Sequence, residues 1–186
     1  MRNYIITNIK LKDGQPLIIR RGLRRDLDAI WNIFNVVVSE RRFIPVFNTV
    51  KSEFEKQSWY LRMREQQNLI LVAEIDNKVV GELTIEHLDW DASSHVGELG
   101  IIILPKYRFM GIGSELIKNC LEIVKKENLF KKICLSCFHN NYVALNIYKK
   151  FGFKQIGKRE KQYYINGEWI DEILFEKILD TQLFTN

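Results

Sequence analysis

Cysteine is scarce: the chain has three, an odd number, where a disulfide-stapled secreted domain would show a denser, even set. A reducing, cytoplasmic setting is expected. Proline is equally sparse, also three, and no Pro/Gly/Ser-rich stretch, repeat or low-complexity tract marks a domain boundary. No apolar run approaches the ~18 residues of a membrane span. The opening MRNYIITNIKLKDG has no apolar stretch of signal-peptide length, so no membrane partner is expected. Runs of five or six like charges are missing too. The 28 Lys and Arg against 23 Asp and Glu leave +5, and the positive residues come in pairs such as Arg20-Arg21, Lys131-Lys132 and Lys149-Lys150. Such pairs are not a nucleic-acid-binding tail, so no nucleic-acid partner is expected, although a mildly basic surface still suits a phosphate-bearing ligand.

What the chain does have is 186 residues that are 46% hydrophobic, 12% aromatic and 27% charged, which predicts a globular protein with one core. Residues 1–16 read as an accessory extension: Tyr4 to Leu11 is strand-like, Asp13-Gly14 signals a turn, and Leu17 to Arg20 follows as a second strand. A single domain is expected over 17–180.

Leu23, Leu27, Ile30, Phe34 and Val37 fall at helical spacing. After a loop with Pro45, Ser52 and Glu55 resemble a capping box that opens a second helix through about Gln67, with Phe54 and Leu61 on its apolar face. Leu69 to Ile75, the Asp76-Asn77 turn and Val79 to Ile85 form a hairpin. His95 to Leu104 is a strand with two interior glycines, Gly97 and Gly100, which mark a bulge or a close approach to the backbone. A third helix runs from about Gly113 to Glu127, a strand from Ile133 to Phe138, and a fourth helix from Asn141 to Phe151, ended by Gly152. The last unit is a hairpin about Asn166-Gly167. Cys134-x-x-Cys137 sits inside the strand and reads as buried thiols, since nothing nearby completes a metal site.

The chemistry concentrates where the strand ending at Leu104 turns into the third helix. Arg108-Phe-Met-Gly111-Ile-Gly113 is an R-x-x-G-x-G turn, and free amides at a helix start make an anion site. It is neither G-x-x-x-x-G-K-[ST] nor G-x-G-x-x-G. Downstream lies an N-x-x-A-x-x-x-Y-x-x-x-G-F block: Asn141, Ala144, Tyr148, Gly152 and Phe153. Together these two motifs resemble the GNAT superfamily of acetyl-CoA-dependent N-acetyltransferases, with the resemblance running from about residue 17 to 178.

The resemblance implies a mixed α/β (α+β) fold with a central, mostly antiparallel sheet of about seven strands and four helices. Acetyl-CoA is then the acyl donor. Amides of Arg108, Phe109, Met110, Gly111, Ile112, Gly113 and Ser114 would hold its pyrophosphate, while backbone groups of Ile101 and Ile103 pair with the pantetheine arm and Asn141 contacts it. A bulge before the turn would splay two strands and admit the thioester. Tyr148 would protonate the departing thiolate, as a phenol of pKa ~10 can. Phe109 and Met110 stand where many relatives carry basic or small polar residues.

For the base that receives the acceptor's proton, Glu98 is the first candidate, ahead of Glu82 and His95. Acceptor specificity is expected from the loop Ser39 to Asn48, with Phe43, and from the final hairpin, with Tyr163 and Tyr164. The acceptor is either a protein N-terminus or a small amine or amino acid. A catalytically idle acetyl-CoA sensor and a basic RNA-associated module stand as alternatives, and edge strands of the terminal hairpin leave a homodimer open.

Overall fold

The computed structural model describes residues 5–66 and 68–179. Its elements are β1 (Ile5–Lys10), β2 (Pro16–Arg21), α1 (Leu27–Ser39), α2 (Glu53–Glu65), β3 (Leu69–Ile75), β4 (Lys78–His87), β5 (Val96–Ile103), α3 (Ile112–Glu127), β6 (Lys132–Phe138), α4 (Tyr142–Lys150), β7 (Lys154–Ile165) and β8 (Glu168–Ile178). Tyr4, Gln67 and Asp180, which bounded sequence-derived elements, lie outside the described residues.

All eight strands join one sheet in the order β1-β2-β3-β4-β5-β6-β8-β7. The strand beyond the expected seven is β1, which pairs antiparallel with β2 and so extends the same sheet. Every pairing is antiparallel except β5 with β6. The β3–β4 hairpin turns through Asp76 and Asn77, both at positive φ (50° and 60°), the geometry of a tight primed turn.

Both faces of the sheet are covered, which explains why β3 is apolar at nearly every position. On one face α3 lays Leu116, Ile117, Cys120 and Val124 against Leu71, Leu83, Ile85 and Leu99. Each such aliphatic side chain withdrawn from water is worth ~1.5–3 kcal/mol. On the other face Ile30 of α1 and Met63 of α2 pack on Ile70 and Val72, with Trp59 and Tyr60 alongside. Ser52 does cap α2, accepting from the Glu55 amide at 3.4 Å. The expected apolar face is displaced, however: Phe54 and Leu61 are exposed, and Trp59, Tyr60 and Met63 face inward instead.

The start of α1 is pinned by a buried ion network. Arg20 binds both carboxylate oxygens of Asp26 at 2.7 and 2.8 Å, and its Nε donates to Glu74 at 2.8 Å. Burial opposes the charge on Asp26, but Arg20 and the Leu23 amide outweigh it and hold that carboxyl below its ordinary range. Cys120 and Cys137 are buried and Cys134 half-buried, and burial pushes all three thiols up, Cys137 to about 11. Among the described residues no helix is long and apolar enough to cross a membrane.

Candidate active site

The site begins where β5 and β6 part. They run parallel but pair only from Val96–Glu98 to Lys132–Cys134. Beyond Glu98, β5 follows β4 to Ile103 while β6 follows β8 to Phe138. The Leu104 amide bonds Val80 on the β4 side at 2.9 Å, so strand alternation turns the backbone groups of Ile103 and Ile101 toward the gap. The expected bulge is absent: β4 and β5 keep unbroken register from Gly81–His87 to Gly97–Ile103. Divergence of two parallel strands opens the gap by itself.

The two glycines of β5 therefore do different things. A Cβ on Gly97 would lie 2.3 Å from Ile85 Cγ2 and 3.0 Å from the Phe130 ring, so this position is bare to let the core close. Gly100 lines the cleft, and its Cβ would meet nothing nearer than Thr84 Oγ1 at 3.4 Å.

The cleft has a volume of about 850 Å³ and continues from the gap to the N-terminus of α3. Gly111 holds φ +90° as the N-cap, with open space where a Cβ would stand. The first intrahelical bond runs from Glu115 to Gly111, which leaves the amides of Ile112, Gly113 and Ser114 without helical acceptors at the cleft wall. Met110 turns into the core cluster instead, and Phe109 lies exposed at the cleft edge.

Arg108 departs from the expected arrangement. Its amide donates to Pro105 O at 3.3 Å, its Nε to Ile103 O at 2.9 Å, and its guanidinium forks onto both oxygens of Glu40, with Nη1 at 2.8 Å. The Phe43 ring lies beneath, 4.7 Å from the guanidinium carbon. The motif arginine thus faces the loop after α1 rather than the α3 amides.

From the far wall α4 presents Tyr148, buried between Phe153 and Phe175. Burial drives its phenol well above the ordinary value, so it keeps its proton at neutral pH. Asn141 caps α4 by accepting from the Ala144 amide at 3.2 Å and also lines the cleft.

The candidate bases separate cleanly. Glu82 on β4 is 9% exposed, lines the cleft, and its Oε2 has no hydrogen-bond partner among the described residues. Burial, with the charge of Glu86 adding, pushes its carboxyl up to about 8. Glu98 pairs with Glu86 across β4 and β5, is exposed, and does not line the cleft. Partial burial raises its carboxyl, and Glu86 and Glu172 raise it further. His95 is exposed outside the cleft, where its carbonyl accepts from Lys131 and Lys132.

The acceptor side is walled by α1 and the loop after it. Trp31 meets Phe34 and Trp59 edge-on at 5.2 and 5.4 Å, and Phe43 to Val46 close the rim. Tyr163 and Tyr164 do not line this cleft. Strand alternation sends them to opposite faces: Tyr163 donates to Glu172 at 2.8 Å, and Tyr164 packs on Trp169 at 4.9 Å. Glu172 also accepts from Ser136 at 2.6 Å and Arg159 at 2.8 Å. Burial opposes its charge, and those three hydrogen bonds overcome it to hold the carboxyl low. The hairpin reaches the acceptor loop through Asn166, whose Nδ2 donates to Arg41 O at 3.2 Å.

Sequence reasoning passed over Trp31 and Trp59. The one available signal, aromatics at Trp31 and Phe34 on one helical face, is also what a core helix shows.

The profile of the acetyltransferase (GNAT) family matches residues 30–153, a span that runs from α1 through the turn before α3 to the end of the Tyr148 block. The chain belongs to that family. Among GNAT relatives, the L-amino acid N-acetyltransferase AaaT of Escherichia coli is 31% identical over 121 residues, covering 64% of this chain and 75% of that protein. An N-alpha-acetyltransferase of Sulfurisphaera tokodaii is 28% identical over 168 residues, covering 84% of this chain and 91% of that protein. The same fold occurs in a GNAT superfamily phosphinothricin acetyltransferase from Sinorhizobium meliloti, solved in complex with acetyl-CoA. Its TM-score is 0.84 at 17% identity, covering 91% of this chain and 92% of that one.

Proposed function

We propose that this GNAT protein transfers the acetyl group of acetyl-CoA to a primary amine, with both substrates bound at once in the cleft. The observation that carries the proposal is the parting of β5 from β6 beside the uncapped amides of α3, with an unpartnered buried carboxyl in the same cleft. The residues present suit the donor. Amides of Ile112, Gly113 and Ser114 offer an anion site for a diphosphate, and the backbone of Ile101 with the amide of Ile103, whose carbonyl is taken by Arg108, can hydrogen-bond an extended amide-bearing arm. When bound, acetyl-CoA supplies an acyl group activated as a thioester.

The chain's own groups handle the protons. An acceptor amine must be neutral to attack, and Glu82, at about 8, is matched to an α-ammonium of ~8 far better than to a lysine side chain of ~10.4. Glu82 therefore replaces Glu98 as the proposed base. Tyr148, protonated and facing the cleft, supplies a proton to the leaving sulfur. The acceptor is an amine of the kind carried by a protein N-terminus or a small amino compound. The two relatives above, by name an amino-acid acetyltransferase and an N-alpha-acetyltransferase, support that range.

Steady-state transfer by three variants tests this reading. Glu82→Gln and Tyr148→Phe are expected to lower kcat roughly a hundredfold or more with little change in KM for acetyl-CoA, and Glu98→Gln by less than about twofold. A large loss in Glu98→Gln with Glu82→Gln active would return the base to Glu98.

A further inference from the structure

Ser136 is the one exposed residue of β6, and it lines the cleft. Register fixes where it stands. Glu98 pairs with Cys134, so had the two strands stayed together Ser136 would lie beside Gly100. Instead these two residues form opposite lips of the gap, and both line the cleft. The same register sets the face. Ile70, on which Ile30 of α1 packs, stands opposite Thr84, and Thr84 opposite Gly100. Gly100 and Ser136 therefore share the sheet face on which α1 walls the acceptor side, whereas Leu135 and Cys137 join the core cluster under α3.

A serine side chain ends at its hydroxyl, and here the one proton of that hydroxyl is committed: Ser136 Oγ donates to Glu172 Oε1 at 2.6 Å. Glu172 is 5% exposed, and this bond, with those from Tyr163 and Arg159 at 2.8 Å each, keeps its carboxylate ionised. Among the described residues no N–H or O–H donates to Ser136 Oγ, so what the hydroxyl has left is lone pairs. An exposed oxygen that can only accept, polarised by a buried anion behind it, selects a ligand N–H, and more so when that nitrogen carries positive charge. The charge on the same face agrees: Glu98 feels both Glu172 and Glu86, and Glu86 lines the cleft.

We infer that Ser136 is a further catalytic residue, whose oxygen accepts a hydrogen bond from the attacking nitrogen of the acceptor, and that Glu172 is the positioning residue that fixes its hydroxyl. The inference rests on the transferase reading above and adds a contact to it. In the transfer that nitrogen bonds the acetyl carbon and the C–S bond breaks, with one proton passing from the nitrogen to Glu82 and one from Tyr148 to the sulfur. Between attack and loss of its proton the nitrogen is positively charged, and a hydrogen bond to Ser136, with Glu172 behind it, stabilises that charge. A primary amine has one N–H for the base and a second for Ser136. A secondary amine has only one, so the site favours primary amines.

The test measures acetyl transfer to two primary amines, a phenylalanine-initiated peptide and 2-phenylethylamine, and to the N-methyl counterpart of each. Ser136→Ala is expected to lower kcat for the primary amines by about tenfold or more, the range of a hydrogen bond to a charged group, with KM for acetyl-CoA unchanged. Its loss on the N-methyl amines should stay below about threefold, so that the preference for primary amines shrinks. Glu172→Gln, which keeps the size and removes the charge, should move kcat and preference in the same direction. A Tm rise with acetyl-CoA shows that each variant is folded, and Ser136→Ala carries the test alone if Glu172→Gln does not fold. Equal fractional losses on primary and N-methyl amines, or wild-type kcat in either folded variant, would overturn the inference while leaving the transferase reading intact. Transfer to none of the amines would overturn both.

Discussion

At the scale of single residues, the most consequential group is Glu82, because its environment sets both its chemistry and a cost. Its carboxyl stands near 8 in the fold, against an ordinary value of 4.5. Between those values the folded chain holds a proton that the unfolded chain has released, so stability falls as pH rises through that window. The unfolding free energy of the ligand-free protein, read from urea titrations, is expected to drop between pH 5 and pH 8 by an amount on the order of a few kcal/mol. Glu82→Gln, which has no proton to lose, should remove most of that slope, and an unchanged slope would place the titrating group elsewhere. The glycines of β5 offer a second contrast. Gly97→Ala forces a methyl against Ile85 and Phe130 and should cost about 1–3 kcal/mol in urea unfolding. Gly100→Ala meets only ordinary contacts, so it should leave stability nearly unchanged while its methyl, lying in the cleft, raises KM.

Among the elements, the joint between the loop after α1 and the turn before α3 links the two halves of the cleft. Arg108, bound to Glu40 and stacked on Phe43, holds the acceptor loop against the strand end at Ile103. Glu40→Ala frees that loop while the amides of α3 stay in place. Its expected effect is a several-fold rise in KM for the acceptor with KM for acetyl-CoA little changed, and the reverse pattern would mean that Arg108 serves the donor. This joint also shows what the sequence could disclose. The R-x-x-G-x-G turn, the Ser52 cap and the Asp76-Asn77 turn were legible because their signals are local, a few residues satisfying one another's backbone groups. The Arg108–Glu40 pair joins residues 68 positions apart, and nothing local announces it. Periodicity misplaced Phe54 and Leu61 for a related reason. The polar sequence of α2 has no strong stripe, so contact with Ile30, Ile70 and Val72 decides which face is buried.

On the scale of the whole molecule, the sheet is a rigid frame that leaves one deliberate opening. Its strands join one continuous sheet in which the parallel pair β5 and β6 separates after Glu98, and α3, α4 and β4 bring amides, Tyr148 and Glu82 to that opening. A ligand seated there bridges elements that otherwise do not pair, so binding should stabilise the entire fold. Acetyl-CoA at ~100 times its dissociation constant should add ~2.7 kcal/mol, roughly 5–10 °C in Tm for a chain of this length, with CoA close behind and NADH without effect. The order of elements and the anion-binding turn could be read from the sequence. The parting of β5 and β6 without a bulge could not, because it depends on how far two strands stay in register rather than on any residue within them. The central claim, acetyl transfer to an amine, is tested most directly by following free CoA thiol and acetylated amine together, with purified protein, acetyl-CoA and a phenylalanine-initiated peptide. The account predicts amine-dependent thiol release matched one for one by acetylated product. A protein that raises its Tm with acetyl-CoA and acetylates no peptide, amide or simple amine would contradict it.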